Sequence, residues 1–465
     1  MKPTPAALKE YAARRARFMK QIGRHGVAIL PGAREVTRSR DTHYPFRQDS
    51  DFRYLTGFLE PDSIAVIAPG RKGGQFVLFV RERNAEREIW DGRRAGPEGA
   101  VRDYQADQAY PIGEFEAVLP QLLGGRRSVH YNLGEHPALD PKISACVREI
   151  REVSRRGATA PTEFVALEGS LHEMRLRKTA AEAAVMRRAA AVSAEAHCLA
   201  MRATRPGRYE WQIAAEIHAH FARHDMEPGY GSIVGGGENA CILHYVENSA
   251  KLRDGELLLI DAGGELAGYT ADITRTFPVN GKFSAAQQAV YEIVLEANIA
   301  AIKTLQAGVS SARPHEVATR ILTEGMVDLG LLKGDPKQLV RDGRHRQFYM
   351  HGTGHWLGMD VHDVGRYRVD GEARLFEPGM VMTVEPGLYI APGTKGVPEK
   401  YWGIGIRIED DVLITAKGPE VLTGGVPKTV RDIEALMATP SQAMPSGIAC
   451  EGARAARDGC PVGVS

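Results

Sequence analysis

Apolar positions along the chain fall into three regimes. Up to about residue 170, short apolar runs alternate with helical periodicity. Ser63-Ile-Ala-Val-Ile-Ala68 and Gln75-Phe-Val-Leu-Phe-Val80 read as strands, and residues 8–20 as a basic helix. That alternation predicts a smaller α/β domain over residues 1–170, with Arg155-Arg-Gly-Ala-Thr-Ala-Pro161 as the link to the second region. Over residues 171–439 longer helices are interleaved with strands. Thr179 and Glu182 have the spacing of a capping box ahead of an alanine-rich helix that runs to about Pro206-Gly207. Ser284 and Gln287 open another helix, which stops at Gly308. Such helices between strands predict a layer of helices over a curved antiparallel sheet, and an α+β fold overall. Residues 440–465 are rich in Ala, Gly, Arg and Pro without periodicity, which predicts a disordered, non-catalytic tail.

Within the second region, ionisable residues punctuate the apolar pattern at strand ends. Glu256-Leu-Leu-Leu-Ile-Asp261 and the β-forming stretch Tyr269 to Phe277 flank the turn residues 262–268, which reads as a hairpin. A two-residue loop at Leu266-Ala267 sets Asp261 opposite Asp272. A loop at Ala267-Gly268 makes the two diagonal neighbours instead. Both registers put the carboxylates on one face, where like charges repel. Beside an apolar strand that repulsion is costly, and a bridging cation reverses its sign. Taken alone, the pair is equally consistent with two exposed acids at a hairpin's end.

Three further residues change the balance. His351-Gly-Thr-Gly-His355-Trp-Leu-Gly-Met-Asp-Val-His362-Asp363 is broken by glycines at 352, 354 and 358, which excludes the helical His-Glu-x-x-His zinc pattern. Met380-Val-Met-Thr-Val-Glu385 is a strand that ends on a carboxylate before Pro386-Gly387. Along Gly405 to Ile414, alternation puts Arg407, Glu409 and Asp411 on one face. Asp261, Asp272, His355, Glu385 and Glu409 together make a donor set of carboxylates and one imidazole suited to two divalent cations, and so to a dinuclear metallohydrolase. Oxygen-rich ligation with a single imidazole selects Mn²⁺ ahead of Co²⁺ or Zn²⁺. Mg²⁺ ranks lower because it retains waters and seldom takes histidine.

At these positions the chain resembles a known family. Asn239-Ala-Cys-Ile-Leu-His244-Tyr245, Ile260-Asp261-Ala-Gly-Gly, Asp272-Ile-Thr-Arg-Thr-Phe277, His351 to Asp363, Thr383-Val-Glu385-Pro-Gly and Gly405-Ile-Arg-Ile-Glu409 match, in order, the pita-bread metallopeptidases. That family includes methionine aminopeptidase, prolidase and aminopeptidase P. Tyr44-Pro-Phe-Arg-Gln-Asp-Ser-Asp-Phe-Arg-Tyr-Leu-Thr-Gly-Phe58 and Glu88-Ile-Trp90-Asp-Gly-Arg-Arg94 look like its bacterial aminopeptidase P branch. The resemblance implies that Asp261 chelates one metal, that Asp272 and Glu409 bridge both, and that His355 and Glu385 complete the second. It implies a hydroxide between the metals as nucleophile, and proton shuttling by Glu385. His244 and His362 would stabilise the transition state, and His351 would hold substrate. Arg407 would support a bridging acid, with Tyr230 and Trp90 as further residues near the substrate. In some relatives the Trp90 region reaches the site of a neighbouring subunit. The implied reaction releases the N-terminal residue from peptides with proline second, with Trp356, Leu357 and Val361 as apolar walls for the ring. A homodimer or homotetramer is implied as well. Prolidase, confined to dipeptides, is the nearer rival, and a non-catalytic binding protein on the same fold the more distant one. Such proteins lose ligands, whereas all five stand here.

Composition adds limits rather than detail. At 465 residues two or more domains are expected. A formal net charge of +1 argues against nucleic-acid or membrane attraction, and no apolar run approaches the ~20 residues of a membrane helix. The first ten residues lack the apolar core of a secretory signal, and Glu10 favours an ordinary first helix over a transit peptide. Cysteines at 146, 198, 241, 450 and 460 are odd in number and without Cys-x-x-Cys, which points to a reducing, cytoplasmic setting. Cys198 reads as core, and Cys241 carries little weight as a nucleophile despite its spacing from His244. Gly235-Gly-Gly237 lacks a nucleotide-binding pattern and reads as a pocket loop.

Overall fold

Val27, Ala28, Ile29 and Leu30 are apolar at every position because their strand is covered on both faces. Val27 and Ile29 join a core with Val66, Phe79, Leu119 and Ile143, while Ala28 and Leu30 join another with Phe18, Phe52 and Leu78. The computed structural model describes residues 2–439 apart from 154 and 156. The expected tail, with Cys450 and Cys460, lies outside the described residues.

The first region holds a six-stranded mixed sheet in the order Gln108–Pro111, Phe76–Val80, Ile64–Ile67, Gly26–Pro31, Ser128–His130, Glu163–Val165. The two strands read from apolar runs are both present, and the basic stretch forms the helix Pro5–Ile22, capped by Thr4. Its second core continues into the next region through Leu171, Met186, Leu357 and Val381, so apolar packing joins the two halves.

In the second region the helix Ala180–Ala203 begins with both halves of the expected capping box, as does Ala285–Ile302 at Ser284 and Gln287. The latter ends well before Gly308. The Thr304 hydroxyl takes the Ala301 carbonyl at 2.7 Å, and the chain passes through turns instead. The helices cover two antiparallel ribbons. In one, Leu257–Asp261 pairs with both Ile233–Gly236 and Thr274–Pro278. In the other, Val381–Val384 pairs with Asp410–Thr415, and Gly387–Ile390 with Ile404–Arg407.

The hairpin adopts the second of the two registers. Asp261 pairs with Thr274 and Leu266 with Tyr269, so Ala267-Gly268 is the loop and Asp272 is diagonal to Asp261. Ala267 at φ 50° and Gly268 at φ 89° have the two positive dihedrals of a type I′ turn, whose twist matches that of the strands. The strand expected over 405–414 is interrupted at 408 and 409. Gly235 and Gly236 lie in a buried strand rather than in a pocket loop, closely approached by Asn239 and Leu252.

Candidate metal centre

The two ribbons meet edge to edge, and the centre lies on that seam. Glu409 donates its N–H to the Thr274 carbonyl at 3.0 Å, and the Thr276 hydroxyl donates to the Arg407 carbonyl at 3.0 Å. In the second ribbon Val384 pairs with Asp410 and Gly387 with Arg407, so the same register sets Glu385 opposite Glu409 across the interruption. His355 arrives on the neighbouring loop, which runs beside the strand: Thr383 N–H bonds the His355 carbonyl at 2.9 Å and Glu385 N–H the Thr353 carbonyl at 2.8 Å. Only glycine fits between them, since a Cβ on Gly354 would sit 1.9 Å from the Thr383 oxygen.

All five expected ligands line one cavity of about 580 Å³, together with Tyr230, His244, His351, His362 and Arg407. One donor atom each from Asp272, His355 and Glu409 lies within 4.8 Å of the other two. His355 donates from Nδ1 to the Trp356 carbonyl at 3.0 Å, which leaves Nε2 3.5 Å from Asp272 and 3.6 Å from Glu385. The other side is built on Tyr230. Its hydroxyl lies 2.7 Å from Asp261 Oδ1 and also bonds Asp272 Oδ1. Asp272 therefore turns one oxygen towards Tyr230 and the other towards His355. Arg407 spans the support, bonding Asp261 at 2.5 Å, the Thr274 hydroxyl at 3.1 Å and the Tyr389 hydroxyl at 3.0 Å. Thr274 in turn donates to Glu409 at 2.6 Å.

Electrostatics in this pocket are those of a site short of positive charge. Burial, then Asp272, Glu385 and Asp261, push the Glu409 carboxyl well above the ordinary range. Burial raises Asp261 despite Arg407, and raises Glu385 to about 7 despite His355. Burial would also raise Asp272, but its hydrogen bond to His355 and that ring's charge hold it below the usual carboxylate value. Burial lowers His355, and Asp272 and Glu385 outweigh it to bring the imidazole to about 9. One phenolic proton, on Tyr230, faces two carboxylate oxygens and can satisfy one at a time. A pair of divalent cations fits this donor set: four carboxylates and a tautomer-fixed imidazole converge with one guanidinium as their fixed counter-charge.

The remaining expected residues divide. His244 and His362 are exposed at the cavity, and His362 packs edge-on to His355 at 4.3 Å between ring centroids. His351 has both nitrogens engaged, by Gly352 at 2.7 Å and Tyr389 at 2.8 Å. Trp90 is 83 % exposed on the helix Ala85–Asp91 and does not line the cavity of its own chain. Trp356 and Leu357 are not cavity walls either. Trp356 bridges to Met382 and stacks on Tyr367 within the core, and Leu357 is fully buried. The apolar wall is Ile233, Leu243, Val246 and Val361. Cys241 packs beside Ile233 and Tyr245, and burial pushes its thiol up to about 11.

Thr274, Thr383, Tyr389 and Asp411 hold the centre together without having been singled out as site residues: the Asp272 N–H donates to Asp411 at 3.0 Å, and the His355 N–H to the Thr383 hydroxyl at 3.0 Å. A signal for them existed: Thr274 lies two residues from Asp272, Thr383 and Tyr389 two and four from Glu385, and Asp411 two from Glu409. In an extended chain those spacings share a face.

Comparison with known proteins adds to this geometry. Residues 184–416 match metallopeptidase family M24, and residues 11–131 match the aminopeptidase P N-terminal domain. The chain is 47 % identical to the Xaa-Pro aminopeptidase of Escherichia coli, over 92 % of its own length and 97 % of that protein's. It is 45 % identical to the Xaa-Pro aminopeptidase of Haemophilus influenzae over the same shares. The solved structure of Pseudomonas aeruginosa aminopeptidase PepP superposes with a TM-score of 0.91 at 53 % identity, covering 94 % of this chain and 99 % of that one. A zinc-substituted E. coli aminopeptidase P in complex with product superposes with a TM-score of 0.90 at 46 % identity, covering 95 % and 100 %.

Proposed function

The chain belongs to metallopeptidase family M24, and from that premise we propose that Asp261, Asp272, His355, Glu385 and Glu409 hold the divalent cations of its reaction. It is a metal-dependent aminopeptidase that releases the N-terminal residue from peptides with proline in the second position. The observation that carries the residue assignment is the convergence of all five side chains, with Tyr230 and Arg407 behind them, on one cavity.

When bound, two divalent cations lower the pKa of water and polarise the scissile carbonyl. Asp261, bonded by Arg407, would hold the cations together with Asp272, His355, Glu385 and Glu409. The Glu385 carboxyl, which lines the cavity 3.6 Å from His355, can accept a proton during attack and return it to the leaving proline nitrogen. His244 and His362 have no hydrogen-bond partner among the described residues, so their nitrogens are available to a bound peptide. His351 is tied at both nitrogens and fixes the wall on that side. An Xaa-Pro amide carries no N–H, so selection rests on the free amine and on the ring against Ile233, Leu243, Val246 and Val361.

Mn²⁺ is the proposed ion, on the oxygen-rich donor set. Self-association is proposed on the helix Ala85–Asp91, which buries none of its residues and exposes Ile89 by 80 % and Trp90 by 83 %; there Trp90 would face a neighbouring subunit's cavity. No helix among the described residues is long and apolar enough to cross a membrane, and a cytoplasmic location is proposed. The division at residue 170 is supported by the first sheet's last strand, Glu163–Val165. Titrating Mn²⁺, Co²⁺ and Zn²⁺ against Ala-Pro-Xaa, Ala-Pro and Ala-Ala-Xaa peptides tests the metal and substrate readings together. Ala-Pro-Xaa should be preferred, with Mn²⁺ the best activator. Equal cleavage of Ala-Ala-Xaa would overturn the proline preference.

A further inference from the structure

Two helices packed against one another, Ala180–Ala203 and Glu210–Arg223, present a cluster that no step of the hydrolysis uses. His220 and His224 are one turn apart and so share a face, with ring centroids 4.5 Å apart. Glu195 reaches them from the first helix, its Oε2 lying 3.3 Å from His220 Nε2. One ligand atom from each of the three lies within 4.8 Å of the other two. None of them lines the catalytic cavity.

Three details favour an ion over a simple ion pair. His220 is 8 % exposed, and its Nε2 has no hydrogen-bond partner; the approach of Glu195 lacks hydrogen-bond geometry. A buried polar nitrogen left so is uncommon and calls for a partner. His224 donates from Nδ1 to the His220 carbonyl at 2.9 Å, which fixes the lone pair on Nε2, as in histidines that bind metal. Finally, arms of ~2.0–2.1 Å around a tetrahedral ion separate neighbouring ligand atoms by about 3.3–3.4 Å, and the Glu195–His220 separation is that length.

We propose that Glu195, His220 and His224 form a second metal site, apart from the catalytic pair, which takes a borderline divalent cation such as Zn²⁺ with water in the open position. Two imidazoles and one carboxylate suit such an ion, in contrast to the acid-rich catalytic set. Once bound, the ion cross-links the two helices.

The test counts ions rather than turnover. The full-length Mn²⁺-loaded enzyme is dialysed against Zn²⁺, and total metal per chain is measured by plasma mass spectrometry. The wild type should retain one ion more per chain than the His220→Ala/His224→Gln double variant. Because manganese and zinc are summed, exchange at the catalytic centre leaves the difference unchanged. Equal totals overturn the site. Glu195→Gln, on an exposed side chain, decides the matter if the double variant misfolds: at a Zn²⁺ concentration that half-saturates the wild-type site it should lose the extra ion, and retention overturns the proposal. A zinc-soaked wild-type crystal should show an anomalous peak against His220 Nε2, and its absence overturns the proposal as well.

Discussion

At Asp261 and Asp272 two buried carboxylate oxygens share the single proton of Tyr230. Removing that hydroxyl leaves both acids without their common donor, and a lost supporting hydrogen bond of this kind costs about 10–100-fold in metal affinity. Tyr230→Phe should therefore bind Mn²⁺ that much more weakly by calorimetric titration. Arg407→Lys keeps the charge but cannot reach Asp261, Thr274 and Tyr389 at once. It should lose at least ~10-fold in Mn²⁺ affinity by the same titration. The five proposed ligands, which the structure brings to one cavity, stood out in the sequence because acids that interrupt apolar strands are rare without partners. Trp356 and Leu357 were misread for a complementary reason. Proximity in sequence to His355 says nothing about which way a loop residue turns, and the bridge to Met382 turns Trp356 into the core.

Two local elements set the geometry of the centre, and each can be tested by one substitution. In the hairpin, Ala267 holds a left-handed conformation at φ 50° that an L side chain with a Cβ adopts at a cost of roughly 1–2 kcal/mol. Ala267→Asn supplies the Asn-Gly pair that this turn type prefers. It should raise stability by roughly 0.5–1 kcal/mol in denaturant unfolding and leave turnover unchanged. Gly354 is the opposite case. Its closeness to the Thr383 oxygen leaves no room for a methyl, so Gly354→Ala should push the His355 loop off its strand. The expected cost is roughly 1–3 kcal/mol, seen as a lower unfolding temperature together with weaker metal binding. Hairpin, strands and capping boxes were readable from periodicity and turn chemistry. The choice between two hairpin registers was not, because both put the acids on one face.

Across the whole molecule, the two halves are joined by a buried ion cluster next to the catalytic loop. Arg175 is 3 % exposed and bonds Asp51 at 2.7 Å, Asp360 at 2.7 Å and Asp363 at 2.6 Å, the last adjacent to His362. His172 adds a contact to Asp51 at 2.8 Å. Arg175→Met would leave Asp51 to His172, Asp360 to Ser50 and Arg47, and Asp363 to Lys178; losing a charge-assisted hydrogen bond costs about 1.5–3 kcal/mol, and a fall of at least that size in denaturant unfolding is expected. The cluster also predicts a pH dependence. Burial lowers His172, but Asp51 outweighs it and the imidazole stands above its ordinary 6.5. Its contribution is complete below pH 6.5 and is lost as pH rises through the raised value. Burial raises Asp51, but Arg175 and His172 outweigh it and hold the carboxyl below 3.8. That contribution is complete above pH 3.8 and is lost as pH falls through the depressed value. His172→Gln should thus narrow its stability deficit relative to wild type as pH climbs above 6.5, read by calorimetry across pH.

What the sequence determined by itself was the set of candidate donors, the α+β class and the residues able to form strands, helices and caps, because each is written in local periodicity and residue type. It also carried the family resemblance, since the ordered motifs lie within single segments. Tertiary structure alone decided the pairing of Glu385 with Glu409 across a broken ribbon, the seam that aligns Thr274 with Glu409, and the walls of the cavity. It also set Glu195 against His220 and His224. Those features depend on which segments meet, and strand register and helix packing fix that through burial spread over distant parts of the chain.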